Sequence, residues 1–168
     1  MPHNKNIIHI IGHIIYVALY GLIIVFSILF YNSANLAVLL YIGWITLVPG
    51  ITILLWSSQS RKKGHISEEK GIGKETLVES GMYAFVRHPE FLGHILIIFA
   101  LVLMAQHVAS LVIGALLFIL LGLAMVEEEK RDIEKFGDAY KDYMQRVPRI
   151  NLLTGIIRQM YRETGNEK

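Results

Sequence analysis

Cysteine is absent from the chain. That absence removes disulfides, thiolate–zinc sites, Fe–S clusters and a cysteine nucleophile, while leaving the compartment open. Charge is missing from two long stretches: no Asp, Glu, Lys or Arg occurs from Asn6 to Ser60, and none from Phe91 to Val126. A soluble enzyme core of ordinary composition is excluded by such runs. No G-x-G-x-x-G occurs, so a Rossmann cofactor domain has no support. The segment Gly71-Ile72-Gly73-Lys74 fails the phosphate-loop spacing, because Glu68 stands where the first glycine belongs.

What is present is apolar. Hydrophobic residues make up 54% of the 168, which excludes intrinsic disorder and allows one domain of ordinary size. The net charge is only +2, but the charges are partitioned into Met1–Lys5, Arg61–Glu90 and Glu127–Lys168. A membrane span needs about 20 mostly apolar residues to cross about 30 Å of hydrocarbon. Residues 7–30 and 36–56 meet that length. The run 91–126 is too long for one crossing and is broken by Gln106-His107, which predicts a helical hairpin with arms 91–105 and 108–126. Those arms are short to marginal. A charge at the bilayer centre costs about 2.5–3.5 kcal/mol on insertion scales, so the clean partition reads as a membrane constraint.

The sequence thus predicts an all-α polytopic membrane protein: about four transmembrane helices, with a helical hairpin and a cytoplasmic C-terminal helix. Residues 1–168 form a single membrane domain, in which 61–90 is a cytoplasmic loop and 127–168 a cytoplasmic helical segment. The turns Tyr31–Asn35 and Gln106-His107 carry no Lys or Arg, so every cation lies on the other side and both termini are cytoplasmic. The apolar run 7–30 is too long for a cleaved signal peptide and lacks an A-x-A-like site. The absence of a long soluble domain or signal points to a prokaryotic cytoplasmic membrane. Membrane lipids are expected partners; nucleic acid is not.

Pro49-Gly50 late in the second span predicts a kink, which serves either packing or the opening of a cavity. His9, His13, Tyr16, Tyr20 and Ser27 fall on one helical face of the first span. His9 and His13 have i,i+4 ligand spacing, but no carboxylate or cysteine lies near in sequence, and no metal site is expected. Interhelical hydrogen bonding or a cavity wall suits the stripe. The cluster Arg61-Lys62-Lys63 would anchor the second helix at anionic headgroups. Asn151–Arg162 reads as an amphipathic element on the membrane surface.

Two polar segments carry the chemistry. In Ser80–Gly93, Arg87, His88 and Glu90 crowd the mouth of the apolar hairpin. Pro89 disfavours helix at His88 and can open the next helix, setting Arg87 and His88 beside a helix N-terminus, where anions bind. Gly93, one turn on, permits close approach of a backbone or ligand. A snorkelling, lipid-facing Arg87 is the competing reading. In the second segment, from Glu127-Glu128-Glu129 on, the helix continues into the cytoplasm, and its Ile133, Phe136, Tyr140 and Tyr143 form an apolar-aromatic face. Those carboxylates either meet cations or form a solvated face, and helical geometry turns at most two of them toward one partner.

Together these segments resemble the isoprenylcysteine carboxyl methyltransferase and phospholipid methyltransferase family of integral membrane enzymes. The family pattern S-G-x-Y-x-x-x-R-H-P-x-Y-x-G is matched at Ser80, Gly81, Tyr83, Arg87, His88, Pro89 and Gly93. After a hairpin, E-E-x-x-L-x-x-x-F-G-x-x-Y-x-x-Y is matched at Glu128, Glu129, Phe136, Gly137, Tyr140 and Tyr143, followed by Val147-Pro148. Phe91 and Asp132 stand where tyrosine and leucine are usual, and Ala124 where the eukaryotic isoprenylcysteine enzymes carry arginine. The resemblance implies S-adenosylmethionine as cofactor, held by Tyr83, Arg87, His88, Pro89, Phe91, Gly93, Glu128 and Glu129. It implies Glu128, Glu129 and Arg87 as the residues acting at the reacting groups. The acceptor would be lipid-like or a small apolar molecule, of isoprenylcysteine carboxylate, phospholipid amine or small thiol type. Membrane sterol reductases, which bind NADPH, share an R-H-P-containing core, and Lys135-Phe136-Gly137 is close to their C-terminal element. A non-enzymatic membrane scaffold explains the spans but not the Arg-His-Pro and Glu-Glu pair.

Overall fold

The computed structural model describes residues 3–69 and 77–165, with side chains for 10–62 and 77–162. Among the described residues six α-helices follow in order: α1 (His3–Leu29), α2 (Ala37–Glu69), α3 (Pro89–Ala105), α4 (Val108–Phe136), α5 (Asp138–Arg146) and α6 (Leu152–Gly165). A 3-10 turn, Gly81–Ala84, precedes α3. No strand occurs among the described residues. Among the described residues three stretches are long and apolar enough to cross a membrane: Ile10–Leu29, Ala37–Lys62 and Val108–Phe136. Helix α3 is apolar but has 17 residues, about 25 Å at 1.5 Å per residue and short of a full hydrocarbon core. Ile14, Val38, Ile45, Leu111, Ile119 and Leu123 are exposed, as side chains facing lipid are. The chain is an all-α polytopic membrane protein.

Several boundaries differ from expectation. Helix α2 runs through Pro49 and on to Glu69, so residues 61–69 are helical rather than loop. Once the apolar run ends, hydropathy cannot separate a helix from a polar loop, and Arg61, Lys62 and Lys63 are good helix formers. The stretch 70–76 lies outside the described residues, as does the side chain of His9. The C-terminal helical segment is interrupted at Gly137, whose φ of 60° only glycine adopts freely; α4 ends there and α5 begins.

Two compact units divide the chain. The first comprises Met1–Gly50 and Ile95–Ala124. Within it Gly43 and Gly50 let α2 approach α3: a Cβ on Gly43 would lie 2.7 Å from Met104 Cγ, and one on Gly50 3.1 Å from Leu96 Cβ. The two polar turns of this unit are tied together. Asn32 N donates to Met104 O at 2.8 Å, Ser33 Oγ donates to Ala105 O and Gln106 O, and Phe30 stacks on His107 with ring centroids 3.9 Å apart. Gln106 takes a left-handed conformation, φ 54°, just past the end of α3. Its side chain accepts from Leu36 N and donates to Leu36 O, both at 2.9 Å. Replacing Gln106 with alanine is therefore expected to lower stability by about 1–3 kcal/mol, read as a lower midpoint of thermal unfolding in detergent. An unchanged midpoint would show that water replaces both bonds without loss.

The second unit comprises Ile51–His94 and Met125–Lys168. Its core is Tyr140, Tyr143 and Val147, with Leu77, Ile133, Phe136 and Met144 packed on them, so the expected apolar-aromatic face is the buried one. Burial, with nearby Tyr140, Glu79 and Tyr83, pushes the Tyr143 phenol well above its ordinary value. It stays protonated and donates to the Tyr83 carbonyl at 2.6 Å.

Candidate functional site

The chemistry-bearing residues gather in the second unit, around the mouth of α3. The 3-10 turn Gly81–Ala84 leads into an irregular stretch that Pro89 ends by opening α3. Extended backbone before a proline and a free helix N-terminus after it put Arg87 and His88 on a bend instead of within a helix. The bend is held from outside: Arg87 N donates to Pro148 O at 2.9 Å and His88 N to Arg149 O at 3.0 Å. A second clamp comes from α6. Asn151 caps this helix, its Oδ1 accepting from Thr154 N at 3.1 Å. Gly155, in the first turn, lies so close to the loop that a Cβ there would sit 1.8 Å from the Phe85 carbonyl oxygen.

Glu129 on α4 is the hub. Its side chain is 6% exposed, that of Arg87 8% and that of His88 3%, whereas Arg149 on the rim is 46% exposed. Arg149 clasps the carboxylate from two sides: Nε donates to Oε1 at 3.0 Å and Nη2 donates to Oε2. Arg87 Nη1 lies 2.8 Å from Oε1, yet out of line for a hydrogen bond, and Arg87 Nε is buried with no hydrogen-bond partner among the described residues. His88 Nε2 is 3.2 Å from the same Oε1. Burial pushes the His88 imidazole down to about 4, assisted by the Arg87 and Arg149 cations and opposed by Glu129. It is neutral at pH 7, and since an ionised carboxylate only accepts, the Nε2–H tautomer donates. Two guanidiniums against one carboxylate leave the cluster with one positive charge, and Arg87 with unused donors.

A second group has the opposite balance. Arg61, on α2, pairs with Glu90, and its Nε and Nη2 both donate to the Tyr83 hydroxyl at 3.4 Å. Glu128 feels Asp132, Arg61, Glu90 and Arg131. Three carboxylates thus stand against two guanidiniums, an excess of one negative charge.

The structure brings Arg87, His88 and Glu129 together and sets Phe91 edge-on against His88, centroids 5.5 Å apart. Pro89 and Gly93 are buried in the first turns of α3. Tyr83 and Glu128 belong to the Arg61 group. Of the three adjacent glutamates, Glu127 is exposed, Glu128 half-buried and Glu129 buried. Sequence reasoning missed Arg149 and Gly155, and it did not foresee that Arg61 pairs with Tyr83 and Glu90. The one available signal for Arg149 was its place directly after the Val147-Pro148 ending.

Residues 38–139 match the profile of the phospholipid methyltransferase family. The chain is 33% identical over 87 residues to the protein-S-isoprenylcysteine O-methyltransferase of Schizosaccharomyces pombe, an alignment covering 50% of this chain and 36% of that protein. It is 40% identical over 67 residues to methanethiol S-methyltransferase 1 of Bradyrhizobium diazoefficiens, covering 39% of this chain and 22% of that protein. The matched part therefore spans about a third of the first relative and about a fifth of the second. No solved structure matches the chain at a significant level.

Proposed function

Because the chain belongs to the phospholipid methyltransferase family, we propose that it is an integral membrane enzyme that methylates a lipid-like or small apolar acceptor with S-adenosylmethionine. The observation that carries this reading is the buried Arg87, whose Nε has no hydrogen-bond partner among the described residues and whose cluster holds one excess positive charge. A buried guanidinium with unused donors suits a carboxylate, such as the one on the amino-acid end of this cofactor. When bound, S-adenosylmethionine would supply a methyl group already activated on a sulfonium.

The chain's own residues then divide the work. Arg87 holds the carboxylate. His88 is neutral and serves as a donor to Glu129, not as a second cation. Glu129, with both oxygens engaged, organises the cluster. Glu128, in the acidic group with Glu90 and Asp132, takes the ammonium. Tyr83, Phe91 and neighbouring apolar groups suit the adenine, with Pro89 and Gly93 shaping the first turn of α3 beside it. An amine acceptor would release a proton and need a base, for which Glu128 is at hand; a thiolate or carboxylate acceptor would not. Both termini and the Arg87 bend face the cytoplasm, where a water-soluble cofactor arrives, while the acceptor comes laterally from the bilayer.

Calorimetry on detergent-purified protein tests this. Saturable binding of S-adenosylmethionine and of its demethylated product is expected, with no saturable binding of NADPH. His88→Ala and Glu128→Ala, checked to be folded, should each lose about tenfold or more in affinity. Saturable binding of NADPH and not of the methyl donor would overturn the proposal in favour of a reductase. A labelled-methyl screen over phospholipid amines, prenylcysteine carboxylates and small thiols then identifies the acceptor.

A further inference from the structure

Arg149 lies outside the family match, which ends at residue 139, yet it is the residue that satisfies Glu129 most fully. We propose that Arg149 is a positioning residue of the site: by clasping both oxygens of Glu129 it frees the buried Arg87 to bind an anionic group of the ligand. The ligand's identity rests on the methyl-donor reading; the geometry does not.

The argument is one of charge and of geometry. Without Arg149, Arg87 and Glu129 would form a one-to-one pair with no excess charge, and Arg87 would have every reason to turn its donors onto the carboxylate. A buried ion pair that satisfies itself has little left for an incoming anion. With Arg149 in place, Oε2 is taken by Nη2 and Oε1 by Nε, while Arg87 Nη1 stays near Oε1 without a well-directed bond. The clasp is fixed in register by the two backbone bonds that tie Pro148 and Arg149 to Arg87 and His88. A rigid planar fork is needed for this grip; a lysine would bring the charge as a point charge, without the paired parallel donors that match both carboxylate oxygens.

The same arrangement reaches His88. The charged groups facing it are Glu129 from α4, Arg87 from its own bend and Arg149 from the segment before α6; Phe91 of α3 packs on it without charge. Glu129 favours the imidazolium and the two arginines oppose it. Deleting Arg149 removes one opposing charge and leaves the favouring one, so His88 must titrate at higher pH.

The test uses the full chain in detergent as wild type, Arg149→Ala, Arg149→Lys, Glu129→Gln and the Arg149→Ala/Glu129→Gln double variant. Imidazole NMR titration of His88, assigned by its disappearance in His88→Gln, needs no ligand. Calorimetry with S-adenosylhomocysteine reads anion-dependent affinity. In Arg149→Ala the His88 titration is expected to move upward from about 4. Affinity for the product should fall about tenfold. Arg149→Lys should keep His88 low and restore only part of the affinity. In the Glu129→Gln background, loss of Arg149 should change affinity by less than about threefold, because its partner's charge is already gone. An unmoved His88 in folded Arg149→Ala, or an equal loss of affinity in both backgrounds, overturns the proposal. If Arg149→Ala does not fold, Arg149→Lys carries the comparison: unchanged affinity there overturns it. If the product binds to no variant, wild type included, the methyl-donor reading fails while the His88 titration still decides the role of Arg149.

Discussion

Gly155→Ala should abolish ligand binding although Gly155 is far in sequence from Arg87, His88 and Glu129. The added Cβ would fall 1.8 Å from the Phe85 carbonyl oxygen and 2.7 Å from its carbon. Both are backbone atoms, so no side chain can turn aside to make room. Either α6 or the loop must move, and Phe85 is two residues from Arg87. Overpacking of this kind costs about 1–3 kcal/mol, occasionally more, and here it acts directly on the bend that carries Arg87 and His88. The expected result is a lower unfolding midpoint together with loss of binding of the demethylated product. Gly122→Ala on α4 is the matched control. Among the described residues nothing lies within 4 Å of a Cβ there, and alanine is favoured over glycine in a helix by about 1 kcal/mol. That variant should be as stable as wild type or more so. If Gly155→Ala binds and melts like wild type, α6 is not seated on the loop in solution.

What the sequence made legible follows its physics. Long uncharged runs have one stable form in a bilayer, so the helices and the hairpin break at Gln106-His107 could be read directly. The Arg87-His88-Pro89 bend was equally legible, because proline dictates its local backbone. So was the buried face of Tyr140 and Tyr143, which recurs at helical spacing. The extension of α2 to Glu69 was not legible, since polar residues of good helix propensity look alike in helix and loop. Arg149 was not legible for a different reason. Its partner is 20 residues away in sequence, and the pairing exists only because two backbone bonds bring residues 148 and 149 to 87 and 88. Gly155 depends on the same tertiary closure: a glycine in the first turn of a short helix carries no mark of what its missing side chain lets in.

The adjacent glutamates should separate cleanly on mutation, Glu129→Ala through the fold and Glu128→Ala through the ligand. Glu129→Ala would leave the buried Arg87 with no counter-charge and strip His88 of its acceptor. Removing one partner of a buried ion pair costs about 3–5 kcal/mol, because the charge left behind cannot reach water. A large fall in the unfolding midpoint is therefore expected. The isosteric Glu129→Gln is milder, since an amide oxygen still accepts from Arg149 and the volume is unchanged. Glu128 is half-buried and neighbours several charges, none of which depends on it alone. Glu128→Ala should melt within about 1 kcal/mol of wild type. Its affinity for a ligand ammonium should nevertheless fall, read by calorimetry with the demethylated product. Equal midpoints for the two variants would sink this division. The physical ground for it is helical geometry: neighbours on a helix point about 100° apart, so one of an adjacent pair can be buried against Arg87, His88 and Arg149 while the other stays available. On that ground two glutamates in a row are not redundant: Glu129 is engaged by Arg87, His88 and Arg149, while Glu128 stands with the Arg61 group.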